Sequence, residues 1–206
     1  MSHQDRPRTC TAAILAGGQS RRLGGVDKAL LALDGQRIID RQIAVLRTVT
    51  DRVAIVAGDG ERYRSVDAPV WHDLAPGAGP LGGIYTALVH ALTPQVLVVA
   101  CDLPFLQAGF LRFLVECGQG ADAAVPRTAD GYQPLCASYA RRCADRIPPR
   151  IDARRLDVVG LLDELRVHEI GPDEIAPYDP DGTLFFNVNT PEDYARSLEL
   201  VERRRS

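Results

Sequence analysis

Apolar residues along this chain fall into short unbroken runs, separated by stretches with a wider period. Ala12-Ala13-Ile14-Leu15, Val53-Ala54-Ile55-Val56-Ala57 and Val96-Leu97-Val98-Val99-Ala100 carry no charge. That is the pattern of strands buried on both faces of a parallel sheet. Val70-Trp71 predicts a shorter strand of the same kind. Between these runs the spacing becomes helical: Ile39, Ile43 and Leu46 within 38–49, then Phe110, Leu111 and Leu114 within 107–117. Pro80-Leu81-Gly82-Gly83 opens another helix, expected to run to about Leu92 and to stop at Thr93-Pro94.

The second half is less regular. Segments 122–125, 134–139, 167–170 and 184–188 read as strands. A helix is expected from about Ala140 and another over 154–165, while 171–183, rich in Pro, Asp and Gly, reads as a loop. Thr190-Pro191-Glu192-Asp193 is a helix start, with Thr as N-cap, Pro at the first position and acids in the first turn. This last helix runs into Arg203-Arg204-Arg205, expected to favour the helix end and then fray into solvent.

Strands alternating with helices predict an α/β fold: three layers, a mostly parallel sheet with helices on both faces, Rossmann-like. Such sheets bind ligands beyond the carboxyl ends of their strands, where strand order reverses. Two segments fall on that edge, the glycine-rich stretch after the first strand and Asp102 after 96–100.

Composition narrows the partners. A chain of 206 residues with 46% hydrophobic positions suits one domain with a full core. A net charge of −3 argues against a nucleic-acid grip by the whole molecule, so any basic site must be local. No apolar run approaches the roughly 18–20 residues of a membrane span, and the polar start of the chain lacks a signal-peptide core. A cytoplasmic protein is expected. The five cysteines form no C-x-x-C pair and the four histidines are scattered, which favours free thiols over a zinc site.

The chemistry concentrates in Leu15-Ala16-Gly17-Gly18-Gln19-Ser20-Arg21-Arg22-Leu23-Gly24-Gly25-Val26-Asp27-Lys28. Glycines let backbone N–H groups approach an anion, and Arg21, Arg22 and Lys28 add fixed positive charge. The stretch is not a P-loop, since five residues separate Gly18 from Gly24 where a P-loop has four, and Ala29 follows Lys28. It is not a dinucleotide fingerprint either. Asp102 is a hard oxygen ligand suited to Mg²⁺, or else the cap of the following helix. Asp27 orients Lys28 or closes the turn, and Asp73 is a pocket residue or a turn residue before Pro76-Gly77. Asn187 and Asn189 flank Val188, so on a strand both amides would share one face.

These residues resemble the signature of the nucleotidyltransferases with a glycosyltransferase-A-like fold, the nucleotide-diphospho-sugar transferases. More narrowly, the chain resembles the molybdenum cofactor guanylyltransferases. Asp73, Gly79-Pro80-Leu81-Gly82-Gly83, Cys101-Asp102-Leu103-Pro104 and Asn187-Val188-Asn189-Thr190-Pro191-Glu192 extend the match over nearly the whole chain. The resemblance implies transfer of GMP from GTP to molybdenum–molybdopterin with release of pyrophosphate, with Mg²⁺ as cofactor. It implies a single nucleotidyltransferase domain over 1–206, with a nucleotide-binding half over 11–105 and a pterin half over 106–195. It places Leu15, Ala16, Gly17 and Gly18 against the guanine and ribose, and Lys28 with Arg21 and Arg22 on the triphosphate. Lys28, Arg22 and Asp102 would be catalytic, Asp102 holding the metal. Asp73 would lie in the nucleotide pocket, and Asn187 and Asn189 on the opposite side, where pterin and metal meet. Tyr132 and Gln133 would lie on the pterin side, and Arg154 and Arg155 either grip the molybdopterin phosphate or are solvated helix charges.

Some members of that family carry an asparagine just after the second strand; here the stretch is Val56-Ala57-Gly58-Asp59. Gly17 and the 79–83 loop tilt the choice from the related cytidylyltransferases, which use CTP, towards GTP. A sugar-phosphate nucleotidyltransferase fits the short chain less well. A nucleotide-binding partner without catalysis would be expected to lack Lys28 or Asp102, and both are present. Transient contacts with proteins that deliver molybdopterin or mature molybdoenzymes are compatible with this reading; nucleic acid and membrane are not among the expected partners.

Overall fold

The uncharged runs form the middle of the molecule because nothing in them needs water. The computed structural model describes residues 10–17 and 27–204. Its first strand, β1 (Cys10–Leu15), is followed by a small hairpin of β2 (Ala32–Leu33) and β3 (Gln36–Arg37). Asp34 and Gly35 turn this hairpin at φ of 55° and 73°, the left-handed pair that a two-residue hairpin turn needs. Helix α1 (Ile38–Arg47), strand β4 (Val53–Ala57), strand β5 (Val70–His72) and helix α2 (Gly79–His90) come next. Then follow β6 (Gln95–Ala100), α3 (Ala108–Cys117), β7 (Ala123–Thr128), β8 (Gly131–Tyr132) and β9 (Cys136–Ala140). The rest comprises α4 (Pro148–Asp152), α5 (Val158–Leu162), β10 (Val167–Ile170), α6 (Pro172–Ile175) and α7 (Pro191–Arg203).

The main sheet has the order β10-β7-β9-β6-β1-β4-β5, with β8 hairpinned onto β7. β9 runs antiparallel to β6 and β7, whereas β6, β1, β4 and β5 are mutually parallel. The chain leaves β1 towards β4 and β5, then returns to place β6 on the other side of β1. The strand order therefore reverses beside β1, the place where sheets of this kind leave a crevice at the carboxyl end.

Alternation along the strands sorts the core into two layers. Ala12 and Ile14 pack with Ile39, Ile43 and Leu46 of α1 and with Phe110, Leu111 and Leu114 of α3. Ala13, Val96 and Val98 pack on the other face with Leu81, Ile84 and Leu88 of α2 and Leu161 of α5. A third, smaller cluster of Leu33, Ile38, Phe105, Val188 and Val201 seats α7 on the hairpin and draws segment 187–189 to the carboxyl edge. No helix among the described residues is long and apolar enough to cross a membrane.

Several expectations change. Residues 184–188 form a turn and extended chain, not a strand. Asp179 Oδ1 accepts from Thr183 and Leu184 N–H at 2.7 and 3.0 Å, and Val188 N–H donates to Asp102 O at 3.0 Å, so local caps replace ladder bonds. The expected loop 171–183 contains α6, whose Glu174 carboxylate accepts from Gly171 N–H at 3.0 Å, and a 3₁₀ turn at Ala176–Tyr178. The expected helix over 154–165 contracts to α5, because Arg154 sits at φ 55° and Asp157 caps a new start. The helix expected from Ala140 is a 3₁₀ turn, Arg141–Arg146, interrupted before Pro148-Pro149. Arg204 does not fray: it donates to Thr183 Oγ1 at 2.6 Å and lies over the Phe105 ring at 4.8 Å. Arg205 lies outside the described residues.

Candidate functional site

Three carboxyl-terminal strand ends meet at the crevice. Beyond β1, Ala16 N–H donates to Val56 O at 2.9 Å, and Leu15 O accepts from Cys101 N–H at 3.1 Å. Gly17 has φ 139°, a conformation that side chains disfavour, and a Cβ built on it would lie 3.8 Å from Gly58 N. The stretch without an asparagine therefore sits directly against Gly17. Leu15 leans towards α2, where a Cβ on Gly83 would come within 3.1 Å of Leu15 Cδ1. A Cβ on Gly82 would collide with Ala75 O at 2.6 Å. The glycines of 79–83 thus make room for Leu15 and for the 73–78 loop.

Asp73 belongs to that loop. Its Oδ1 accepts from Ala75 N–H at 3.0 Å and lies 3.2 Å from Thr86 Oγ1 on α2. Its visible work is to fasten the loop to the helix. Asp27 likewise closes a turn: Oδ1 accepts from Ala29 N–H at 3.1 Å, and Oδ2 accepts from the buried Tyr63 hydroxyl at 2.6 Å. Among the described residues no hydrogen bond joins it to Lys28, so Asp27 serves the turn. Tyr63 had no distinguishing sequence signal, being one aromatic in a polar stretch.

Lys28 is the hub. Its ammonium donates to Asn189 Oδ1 and lies 3.6 Å from Asp102 Oδ2. The Lys28 and Asp102 side chains are 19% and 20% exposed, shielded yet reachable by a ligand. Asp102 does not cap α3; that place belongs to Gln107. Its backbone instead receives Val188 N–H, and its Oδ1 is buried with no hydrogen-bond partner among the described residues. Burial pushes the Asp102 carboxyl above its usual range, against the pull of the Lys28 charge and of its own amide.

Asn189 is held from behind. Asp193 Oδ2 accepts from Asn189 and Thr190 N–H at 3.0 and 2.9 Å, while Thr190 Oγ1 accepts from Asp193 N–H at 3.1 Å. This capping box starts α7. Burial raises the Asp193 carboxyl, but the two amides and the Thr190 hydroxyl outweigh it, and the net shift is downward. Asn187 is half-buried two residues earlier, so the pair flanks buried Val188 without a strand.

Other expected residues separate from this hub. Gly18, Arg21 and Arg22 lie outside the described residues. Tyr132 donates its hydroxyl to Glu169 at 2.6 Å, under the guanidinium of Arg127, and Gln133 donates to Thr128 Oγ1 at 3.1 Å. Arg155 pairs with Glu164 at 3.2 Å, and Arg154 is exposed. All five cysteines are free. Burial, with the nearby Asp102 and Asp27 charges, pushes the Cys101 thiol up to about 12, so it is no nucleophile at neutral pH.

A lysine and a carboxylate at a parallel-sheet switch point, with Gly17 against Gly58 N, suit the handling of a nucleoside triphosphate. The model of the MobA-like NTP transferase domain matches residues 12–164. The chain belongs to the MobA-like NTP transferase family. A relative from Pelotomaculum thermopropionicum, named "probable molybdenum cofactor guanylyltransferase", is 37% identical over 95% of each chain. A solved MobA-like structure, the molybdopterin-guanine dinucleotide biosynthesis protein A of Archaeoglobus fulgidus, is 29% identical with a TM-score of 0.83. That likeness covers 94% of this chain and 99% of that one. A more distant protein of Mycobacterium tuberculosis H37Rv, crystallised in complex with manganese, shares the fold at 20% identity and a TM-score of 0.63, over 93% of this chain and 98% of its own.

The MobA-like site fits a divalent cation in one specific sense. The described residues hold no group of three His, Cys, Asp or Glu side chains that could cage a metal. One carboxylate with an unpartnered buried oxygen is what Mg²⁺ takes when substrate phosphates and water fill its other positions.

Proposed function

We propose that this protein is a molybdenum cofactor guanylyltransferase: it transfers GMP from GTP to molybdenum–molybdopterin, forming the guanine dinucleotide cofactor and releasing pyrophosphate. The observation that carries the reading is the meeting of Lys28, Asp102 and Asn189, distant in sequence, at the carboxyl edge of the sheet. Family membership supports it, as does the name carried by the relative at 37% identity.

The terminal phosphate of molybdopterin is the nucleophile. Its second pKa lies near ~6, so at neutral pH it is largely a dianion and needs no general base. Its oxygen forms a bond to the α-phosphorus of GTP, and the bond from that phosphorus to the bridging oxygen breaks as pyrophosphate leaves. The barrier is repulsion between two anions, so positioning and charge neutralisation supply the catalysis. Lys28 exchanges its contact with Asn189 for phosphate oxygens and stabilises the charge that develops there. Asn189, fixed by Asp193, keeps the ammonium aimed at the crevice while no phosphate is present. Asp102 would hold Mg²⁺, which when bound supplies further positive charge to the triphosphate and the leaving pyrophosphate. Leu15, Ala16 and Gly17 form the floor on which guanine and ribose would rest, with Gly58 at close range. Asp73 acts on the nucleotide pocket through the loop it ties down. Asn187 would face the pterin side.

The test is pyrophosphate release with molybdenum-loaded molybdopterin and Mg²⁺, comparing GTP with CTP, ATP and UTP. Release with GTP, at least tenfold faster than with the others, is expected. A preference for CTP would reassign the protein to cytidylyl transfer. Absence of release from folded protein that still binds GTP would overturn the enzymatic reading.

A further inference from the structure

Helix α1 carries one polar residue on a face that is otherwise Ile38, Ile39, Ile43 and Leu46. Gln42 is 1% exposed. Its Nε2 donates to Ala100 O at 2.7 Å and to Leu103 O at 2.9 Å, so both amide hydrogens are spent on carbonyls that bracket Cys101-Asp102. The price is a buried Oε1 with no partner among the described residues. A leucine here would continue the apolar face and avoid that orphan atom, but it would take the Gln42 donors from one buried and one half-buried carbonyl. Among the described residues, β1 through Leu15, segment 187–189 through Val188, Leu135 before β9 and α1 through Gln42 all hold the Asp102 turn. Of these, Gln42 alone uses a side chain, and it spans the turn on both sides of the carboxylate.

We infer that Gln42 is a positioning residue, fixing the direction of the Asp102 carboxylate and thereby the affinity for the divalent cation that accompanies the nucleoside triphosphate. The inference rests on Asp102 being the metal ligand of the proposed function. Gln42 touches neither nucleotide nor metal; it acts through the backbone that carries Asp102. Partners behind a metal ligand set its orientation, and their loss typically weakens metal binding ~10–100-fold.

The experiment compares wild type, Asp102→Asn, Gln42→Met and Gln42→Asn. Mn²⁺ is titrated into each with GTP present and no pterin, and protein-bound Mn²⁺ is read from water proton relaxation. Gln42→Met keeps the shape and removes both donors; Gln42→Asn keeps the amide but falls one methylene short of spanning the turn. The expected result is Mn²⁺ binding at least tenfold weaker in Gln42→Met, a smaller loss in Gln42→Asn, and a loss in Asp102→Asn no smaller than that of Gln42→Met. GTP affinity without metal should match wild type in both Gln42 variants, and turnover should show a lower kcat with the KM for the pterin unchanged. Should Gln42→Met not fold, Gln42→Asn decides alone. Wild-type Mn²⁺ affinity in the folded Gln42 variants, with Asp102→Asn impaired, would overturn the role of Gln42 and leave the metal site standing. Wild-type affinity in Asp102→Asn would instead remove Asp102 as ligand, and the inference with it.

Discussion

Lys28 shows how one side chain can be both neutralised at rest and available for work. Its ammonium is shared between a neutral amide and a carboxylate 3.6 Å away, neither of which encloses it. Lys28→Ala should lower kcat/KM about 100- to 1,000-fold, as loss of a single charge-stabilising donor does, with little change in thermal unfolding. An unaltered kcat/KM in steady-state assays would remove Lys28 from the chemistry. The glycines nearby separate in the same way. Gly82→Ala forces a Cβ against a backbone oxygen at 2.6 Å, so denaturant titration should show a loss of about 1–3 kcal/mol. Gly83→Ala presses only the flexible end of Leu15, at 3.1 Å. It should raise the KM for GTP while leaving kcat and stability close to wild type, and a stability loss as large as that of Gly82→Ala would contradict this.

Among the elements, the first turn of α7 matters most to the site. Asp193 ties down the backbone of Asn189 and Thr190, and so sets where the Lys28 partner stands. Asp193→Ala should cost about 0.5–2 kcal/mol in chemical denaturation, the usual range for a lost cap, and should lower kcat as well. A stability loss without any change in kcat would separate the cap from the site. This helix start was readable in Thr190-Pro191-Glu192-Asp193 because caps are local chemistry. The central strands were readable because burial on both faces writes an unbroken apolar run. The 184–188 segment looked like a strand for a related reason: Leu184, Phe185, Phe186 and Val188 are apolar. Apolarity reports burial, not pairing, and their backbone groups go to Asp179, Thr183 and Asp102. The β2–β3 hairpin carried its signal in Asp34-Gly35, which only the glycine-rich segment before it obscured. Gln42 and Tyr63 were silent, since a polar tip on an apolar face acquires meaning only from the carbonyl or carboxylate that tertiary packing brings to it.

Across the molecule, the half beyond β6 is held together by polar contacts as well as by core. Asp122, at the entry to β7, accepts from the Arg166 amide at 3.0 Å before β10 and from the Arg142 guanidinium at 2.6 Å beyond β9. The Arg166 amide, with the two guanidiniums, holds its carboxyl down to about 2, below its ordinary 3.8. A carboxyl lowered by folding stabilises the folded state fully above its unfolded value, and that contribution is lost as pH falls through the folded one. Asp122→Asn should therefore lose about 1–2 kcal/mol at pH 7 by urea titration, and the gap to wild type should close between about pH 4 and pH 2. A gap that persists undiminished at low pH would mean that shape, not charge, is what Asp122 provides.

The Lys28–Asn189 contact also has a consequence in time. Synthesis proceeds from the amino end, and the tenth strand is complete at Ile170, well before Asn189 is added. A nascent chain can therefore own its entire sheet and the lysine it needs while still lacking that lysine's resting partner and the cap that positions it. A chain cut short after residue 186 would yield a sheet whose Lys28 still faces Asp102 but lacks Asn189 beside it.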